Sequence, residues 1–398
     1  MNNEFASAES PALRKDIIFY YLFSFLLGFY IANGTTVLFE RVLGFSYSRI
    51  FILAAVYMLM FILFEIPSGA FADLLGRKKS IALGCLVLAL GALATGLSTT
   101  FLQVFLSFFL WAVGFSFISG ADEALLYDRV ADSGRYTAIF ARSRFFFLGA
   151  TALAGVAGPY LFSVNFRYPY LFSAIPFVLG GLVIMFFREQ AAAGRGRFSL
   201  GAHWRQIREG LSFAKGNKYV LWSMWLLSLT FAVWYNLSNS YQPFLLDVGF
   251  SIRAFSAILP ALFILEAVGG MAAGRLNQRL SEGKVFAAGL VFFAAAVGLA
   301  GIISSTVSLV FLLLYSFLLG VLRTNLSVYA NRHIEPSHRA TVISVQGMVA
   351  TIAAASSLFL FGFLTDRIGI SSLLILLGAI ALTASLLLLI ARPKETSP

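Results

Sequence analysis

Five ionisable side chains interrupt stretches that are otherwise apolar. They are Glu65 at the end of VYMLMFILFE, Asp122 and Glu123 in FISGADEALL, Glu266 in ALFILEAVGG and Arg323 in GVLRTNLSVYANR. A charge at the centre of a helix in lipid costs about 2.5–3.5 kcal/mol, so such residues usually mark function. A carboxylate there can take up and release a proton. An arginine stays charged and needs an anion, for which Glu123, Glu266 or a negatively charged substrate are available. Ser116, Ser119, Glu123 and Tyr127 recur at helical spacing as a polar stripe, which makes Glu123 the first proton-coupling candidate. Asp122, among Phe115, Ile118 and Leu125, is expected to meet a neighbouring helix and is the second candidate. Glu65 and Glu266 are the others, with a structural role as backbone caps or loop partners as the alternative.

Polar and aromatic groups gather in two further places. FAVWYNLSNSYQ puts Tyr235, Asn239 and Gln242 on one helical face, flanked by Trp234 and Asn236. The first apolar run holds Tyr30 and Asn33. With Arg323 and Asn325 these residues form the candidate substrate site, suited to an amphipathic organic solute, and hydrogen bonding between helices is the alternative use. The three histidines lie in polar connections, so no metal site is read. No nucleophile–base set and no GxxxxGK[ST] loop is present, which argues against an enzyme and against an ATP site. No cofactor is expected. The single cysteine, Cys85, sits in an apolar run as a small apolar side chain.

These groups need elements that hold them in lipid. The chain has 398 residues, 59% hydrophobic and 12% charged, half the charge of an ordinary soluble protein. Twelve apolar segments are long enough to span: 17–39, 48–71, 80–98, 101–127, 138–162, 168–187, 219–245, 254–273, 284–303, 307–330, 340–364 and 371–391. Lipid leaves backbone groups no partner except within a helix or a closed barrel, and barrel alternation is absent, so the fold class is an all-α membrane protein. Of the 29 Lys and Arg, 23 lie on the side of the termini, 5 on the other side, and Arg323 within a span. This predicts both termini in the cytoplasm of a multi-pass membrane protein. The net charge of +11 is then an orientation signal with anionic lipid contact, with no nucleic acid implied.

The two halves repeat. LGFSYSRIF answers VGFSIRAF, FEIPSGAFADLLGRKK answers LEAVGGMAAGRLNQRL, and YDRVADSGRYTAI answers ANRHIEPSHRATVI. Glu65 thereby matches Glu266 and Gly69 matches Gly270. The reading is two six-helix halves, 1–187 and 219–398, joined by a cytoplasmic linker, 188–218. Within the linker, FSLGAHWRQIREGLSFAKGN reads as an amphipathic helix on the membrane surface, with Trp204, Ile207 and Leu211 on one face. Parallel repeats of this kind are an architecture of secondary transporters, with the substrate site between the halves.

GAFADLLGRKKS, residues 69–80, resembles the loop signature of the major facilitator superfamily, and the whole chain fits that layout. The resemblance implies a gating latch of Gly69, Asp73, Gly76, Arg77 and Asp128. In it Asp73 faces the start of helix eleven, near Ala340 and Thr341, and Arg77 pairs with Asp128. The second copy departs from the pattern, because Gly274 replaces the aspartate. GATALAGVAGPY in helix five resembles part of the superfamily's antiporter signature without its closing glycine pair. Together these imply similarity to the bacterial drug/proton antiporter-like members, and with it a place in the bacterial inner membrane. The expected function is proton-coupled efflux of a small amphipathic solute by alternating access, in a monomer whose partners are substrate, protons and lipid. A proton-coupled importer or uniporter of an organic anion is the alternative, and a non-transporting receptor of the same fold is a third possibility.

Overall fold

The computed structural model describes residues 11–130, 133–189, 200–335 and 338–393. Linker residues 190–199, the first ten residues and the last five lie outside the described residues, as does the side chain of Trp204. Among the described residues the structure is helical without strands, and it contains twelve helices long and apolar enough to cross a membrane. The protein is an all-α membrane protein, as the hydropathy implies.

The elements in order are α1 (Pro11–Gly28), a 3-10 turn (Ile31–Gly34), α2 (Thr36–Val42), α3 (Tyr47–Leu75), α4 (Arg77–Leu97), α5 (Phe101–Ile118), α6 (Ala121–Val130), α7 (Ser133–Val164) and α8 (Tyr168–Met185). Then follow α9 (Leu200–Gly216), α10 (Lys218–Ser238), α11 (Tyr241–Asp247), a 3-10 turn (Ile252–Ala254), α12 (Phe255–Arg279), α13 (Glu282–Ile303), α14 (Ser308–Arg332), α15 (Arg339–Ile368) and α16 (Ile370–Ile390). Three spans that read as unbroken are interrupted. Span one breaks between α1 and α2, span four at Ser119–Gly120, where Gly120 has φ +73°, and span seven at Asn239–Ser240. Pro67, expected to bring irregular backbone, instead sits inside the continuous helix α3.

The chain forms two compact units. Unit one is Met1–Thr36 with Met60–Phe198, and unit two is Val37–Leu59 with Ser199–Pro398. The division therefore falls within α3. In unit one, α4 packs on α5 and α8, and α1 packs on α7. In unit two, α13 packs on α14 and α16, and α10 packs on α15. The same helix pairs, shifted by half the chain, meet in both units, which is the internal repeat expressed in packing. The linker helix α9 lays its apolar face on protein, where Gly210 abuts Thr341 and Val345, and Ala214 is buried with Val220, Met224 and Val342.

Candidate functional site

Six of the candidate residues lie at the helix breaks, whereas Glu65, Glu266, Arg323 and Asn325 lie inside continuous helices. Tyr30 and Asn33 lie in the span-one break, Asp122 and Glu123 directly after the Gly120 turn, and Asn239 and Gln242 on either side of the span-seven break. A break frees backbone groups that lipid cannot satisfy, so it is tolerated only where protein or a wet cavity supplies partners.

In unit two the central feature is an ion pair. Arg323 donates from Nη1 to Glu266 Oε1 at 2.5 Å, and its guanidinium lies 4.5 Å from the centroid of the Trp234 ring. The side chains are 36% and 25% exposed, so the pair faces open space. Glycines set this geometry. Gly320 has no room for a Cβ against the carbonyl oxygen of Glu266, and Gly269 has none against that of Phe317. The backbones of α12 and α14 therefore touch, and Arg323, one turn beyond Gly320, comes level with Glu266. Trp234 belongs to an aromatic group with Phe231 and Tyr235, the rings 4.6–5.6 Å apart. The nearby Tyr315 is buried, and its hydroxyl has no partner among the described residues.

Other candidates in this unit serve to tie helices together. Asn236 is fully buried and donates to Ser357 Oγ at 2.7 Å and to its own helix at Ala232 O. Asn325 is buried and accepts from Asn277 Nδ2 at 2.6 Å. Gln242, also buried, accepts from the backbone N–H of Leu38 at 3.4 Å. Asn239, half-buried, donates to Tyr235 O. For Asn236, Asn325 and Gln242 the helix-bonding alternative describes their contacts.

In unit one Asp122 and Glu123 diverge. Glu123 is exposed, and its backbone N–H donates to Asp122 Oδ1 at 2.8 Å. Asp122 lines a small cleft with Tyr20, Ser24, Ser143 and Arg144, between α1 and α7, so it meets neighbouring helices. The Tyr30 ring lies tilted against Trp111, 4.7 Å between centroids, and against Phe177, 6.0 Å, while Asn33 is exposed. Glu65 is exposed, and its carbonyl accepts from Ser68 Oγ. The matched carboxylates thus differ, since Glu266 holds an arginine and Glu65 stands at the surface of its helix.

The loop between α3 and α4 is tied within unit one. Arg77 pairs with Asp128 and donates to Ala124 O at 2.7 Å. Glu189 accepts from the backbone N–H groups of Arg77, at 2.8 Å, and Lys78, at 3.3 Å, and so caps α4. Gly76, at φ +99°, lets that carboxylate approach, because a Cβ would lie 2.9 Å from Glu189 Oε2. Asp73 is exposed, and Gly69 meets open space. Sequence reasoning missed four acids. Asp16, 1% exposed, pairs with Arg129 at 2.7 Å and accepts from Arg188 N–H. Glu189 caps α4, Asp366 caps α3, and Glu40 is buried at the end of span one. The signal available was an acid at the edge of an apolar run with cations in the neighbouring loops.

Three comparisons bear on this architecture. The sequence profile of the Major Facilitator Superfamily matches residues 17–264 and 229–398. The uncharacterized MFS-type transporter YxaM of Bacillus subtilis is 23% identical over 348 residues, covering 85% of this chain and 86% of that one. A shorter match, 24% over 132 residues and about a third of each chain, is to the MFS-type transporter MJ1317 of Methanocaldococcus jannaschii. Among solved structures, the nucleoside transporter NupG aligns at TM-score 0.74 and 14% identity over 97% of this chain and 100% of that one. A bacterial homolog of the human lysosomal transporter Spinster aligns at 0.71 and 15% over 98% and 100%. These structural likenesses concern the fold.

Proposed function

Because this chain belongs to the Major Facilitator Superfamily, a family of membrane transporters, we propose that it exports a small amphipathic organic solute in exchange for protons. The observation that carries this reading is the Arg323–Glu266 pair beneath Trp234. An ion pair held in an apolar bundle, with one side open, is a bistable element. With Glu266 ionised the two charges cancel. With Glu266 protonated, Arg323 loses its anion and is free to release or recruit a polar group. The rings of Trp234, Tyr235 and Phe231 beside it supply an apolar, polarisable wall, which suits the amphipathic class. Coupling through Glu266, which holds a cation, takes precedence here over coupling through Glu123, which is exposed. Asp122, in its cleft beside Arg144, is the second coupling group.

Export rather than import is supported by two glycines at the contact of α7 with span one, Gly158 in α7 and Gly28 in α1. Gly158 meets the carbonyl of Ile31 with no room for a Cβ, and Gly28 meets that of Phe147 in the same way, so α7 and span one are sealed closely against each other. An organic-anion importer would call on the charge of Arg323, which Glu266 already answers. On this reading both termini are cytoplasmic, and the halves 1–187 and 219–398 move against each other about the linker.

The test starts with thermal shifts of the purified protein against a compound panel, to find a ligand. Flux of that ligand is then measured in proteoliposomes with and without an imposed pH gradient. We expect accumulation against its own gradient only when protons can flow the opposite way. Accumulation that ignores the pH gradient, or that runs in the same direction as the protons, contradicts the proposal.

A further inference from the structure

One helix carries a contact that the functional reading does not use. The first turns of α3 are grouped with unit two and its remainder with unit one. A helix start leaves its first backbone N–H groups without partners inside the helix. Here the local sequence supplies part of what is needed. Ser46, just before the helix, accepts from Arg49 N–H through its side chain at 3.4 Å and from Ile50 N–H through its carbonyl at 3.1 Å. The N–H groups of Tyr47 and Ser48 are met from elsewhere in unit two. Asp366, near the end of α15, accepts both, from Tyr47 N at 2.7 Å and from Ser48 N at 3.0 Å, one to each carboxylate oxygen.

The surroundings fit this contact. Gly362, one turn before Asp366, lets α15 lie directly on α3. A Cβ there would sit 2.7 Å from Phe51 Cβ and 3.1 Å from Ser48 Cα. Phe51 is fully buried in this crossing. Arg41 holds the preceding turn, donating to Phe45 O at 2.8 Å and lying 4.5 Å from the Tyr47 ring centroid. The carboxylate also meets the positive end of the α3 dipole, where a negative charge is favoured. None of these groups lies in the Arg323–Glu266 site.

We propose that Asp366 is a releasable latch, which holds the start of α3 on the end of α15 and lets go when the protein opens on the side opposite its termini. The need for release rests on the alternating-access reading above. The latch suits release because the cap is exposed to water at the helix ends, so water replaces Asp366 on the two N–H groups at low cost. The apolar crossing at Phe51 and Gly362 gives the closed state its fit, and the cap sets how readily it parts.

Spin labels test this directly. With Cys85 replaced by alanine, Arg49→Cys and Arg367→Cys place nitroxides on the first turn of α3 and the last turn of α15. Distances are then read by pulsed electron resonance in lipid nanodiscs, without any ligand. We expect the parent to show a dominant short distance. Asp366→Ala should raise the ratio of long to short distances about fivefold, the scale of one lost helix cap. Asp366→Asn keeps one acceptor oxygen and should fall between. Tyr47→Pro removes one of the two donors from the other partner at a helix position that accepts proline, and should shift the ratio the same way even if Asp366→Ala folds poorly. Unchanged distributions in Asp366→Asn and Tyr47→Pro overturn the latch. Flux measured on the same variants separates the two ideas. An opened contact in a protein with no ligand-dependent flux counts against transport and leaves the latch standing, and intact flux with an unmoved contact does the reverse.

Discussion

Arg323 needed an anion, and sequence alone left Glu123, Glu266 and a substrate open, with snorkelling to the inner surface as the alternative. The pairing was hidden because 57 residues separate Glu266 from Arg323 and no local rule joins them. What the sequence did reveal was cost. Each charge stood out against apolar neighbours, and so each candidate acid was visible while its partner was not. The same limit applied to Asp16, Glu40, Glu189 and Asp366, which sit at the edges of apolar runs, where acids are ordinary. A prediction belongs at this scale. Arg323→Ala and Glu266→Ala should each lower thermal stability in detergent, and the double variant should lose less than the sum. The expected coupling is about 1–3 kcal/mol, below the 3–5 kcal/mol seen on breaking fully buried pairs, because both side chains are partly exposed. Additive losses would leave the two residues independent.

Helices were the most legible level, and their breaks the least. The breaks at Phe29–Thr35, Ser119–Gly120 and Asn239–Ser240 are short and set within longer apolar runs, so each span read as a single rod. The turn at Gly120 needs φ +73°, which glycine adopts freely and other residues adopt at a cost, but a glycine in an apolar helix more often marks close packing. Pro67 misled in the opposite direction, because a proline within a long packed helix is tolerated when its neighbours re-satisfy the freed carbonyl. Close packing itself is best tested at Gly320, which lies on the Glu266 carbonyl. Gly320→Ala should force α12 and α14 apart, destabilise by about 1–3 kcal/mol and weaken the Arg323–Glu266 pair. The check is a thermal melt of Gly320→Ala alone and combined with Arg323→Ala. If the pair is already weakened, Arg323→Ala should cost less in the Gly320→Ala background than in the parent. An equal cost in both backgrounds would mean that the glycine does not position the arginine.

The repeat is the feature that joins the whole molecule, and it was readable because three matched segments recur in order. It also misled in one respect. Glu65 and Glu266 match in sequence, yet the position of Arg323, which pairs with Glu266, is not an arginine in the first half, where Gly120 answers it. The halves drawn from the repeat and the units formed by packing differ over 37–59, where the start of α3 lies with unit two. Repeats preserve architecture, and chemistry is added to one copy. On the proposed reading the coupling charge is Glu266, in unit two. The most direct test is therefore Glu266→Gln, a fixed mimic of the protonated carboxyl, assayed in proteoliposomes for both solute exchange and pH-gradient-driven accumulation. The account predicts that exchange persists while accumulation falls to the downhill level. Accumulation at the parent rate would contradict it and move proton coupling to Asp122 or Glu123.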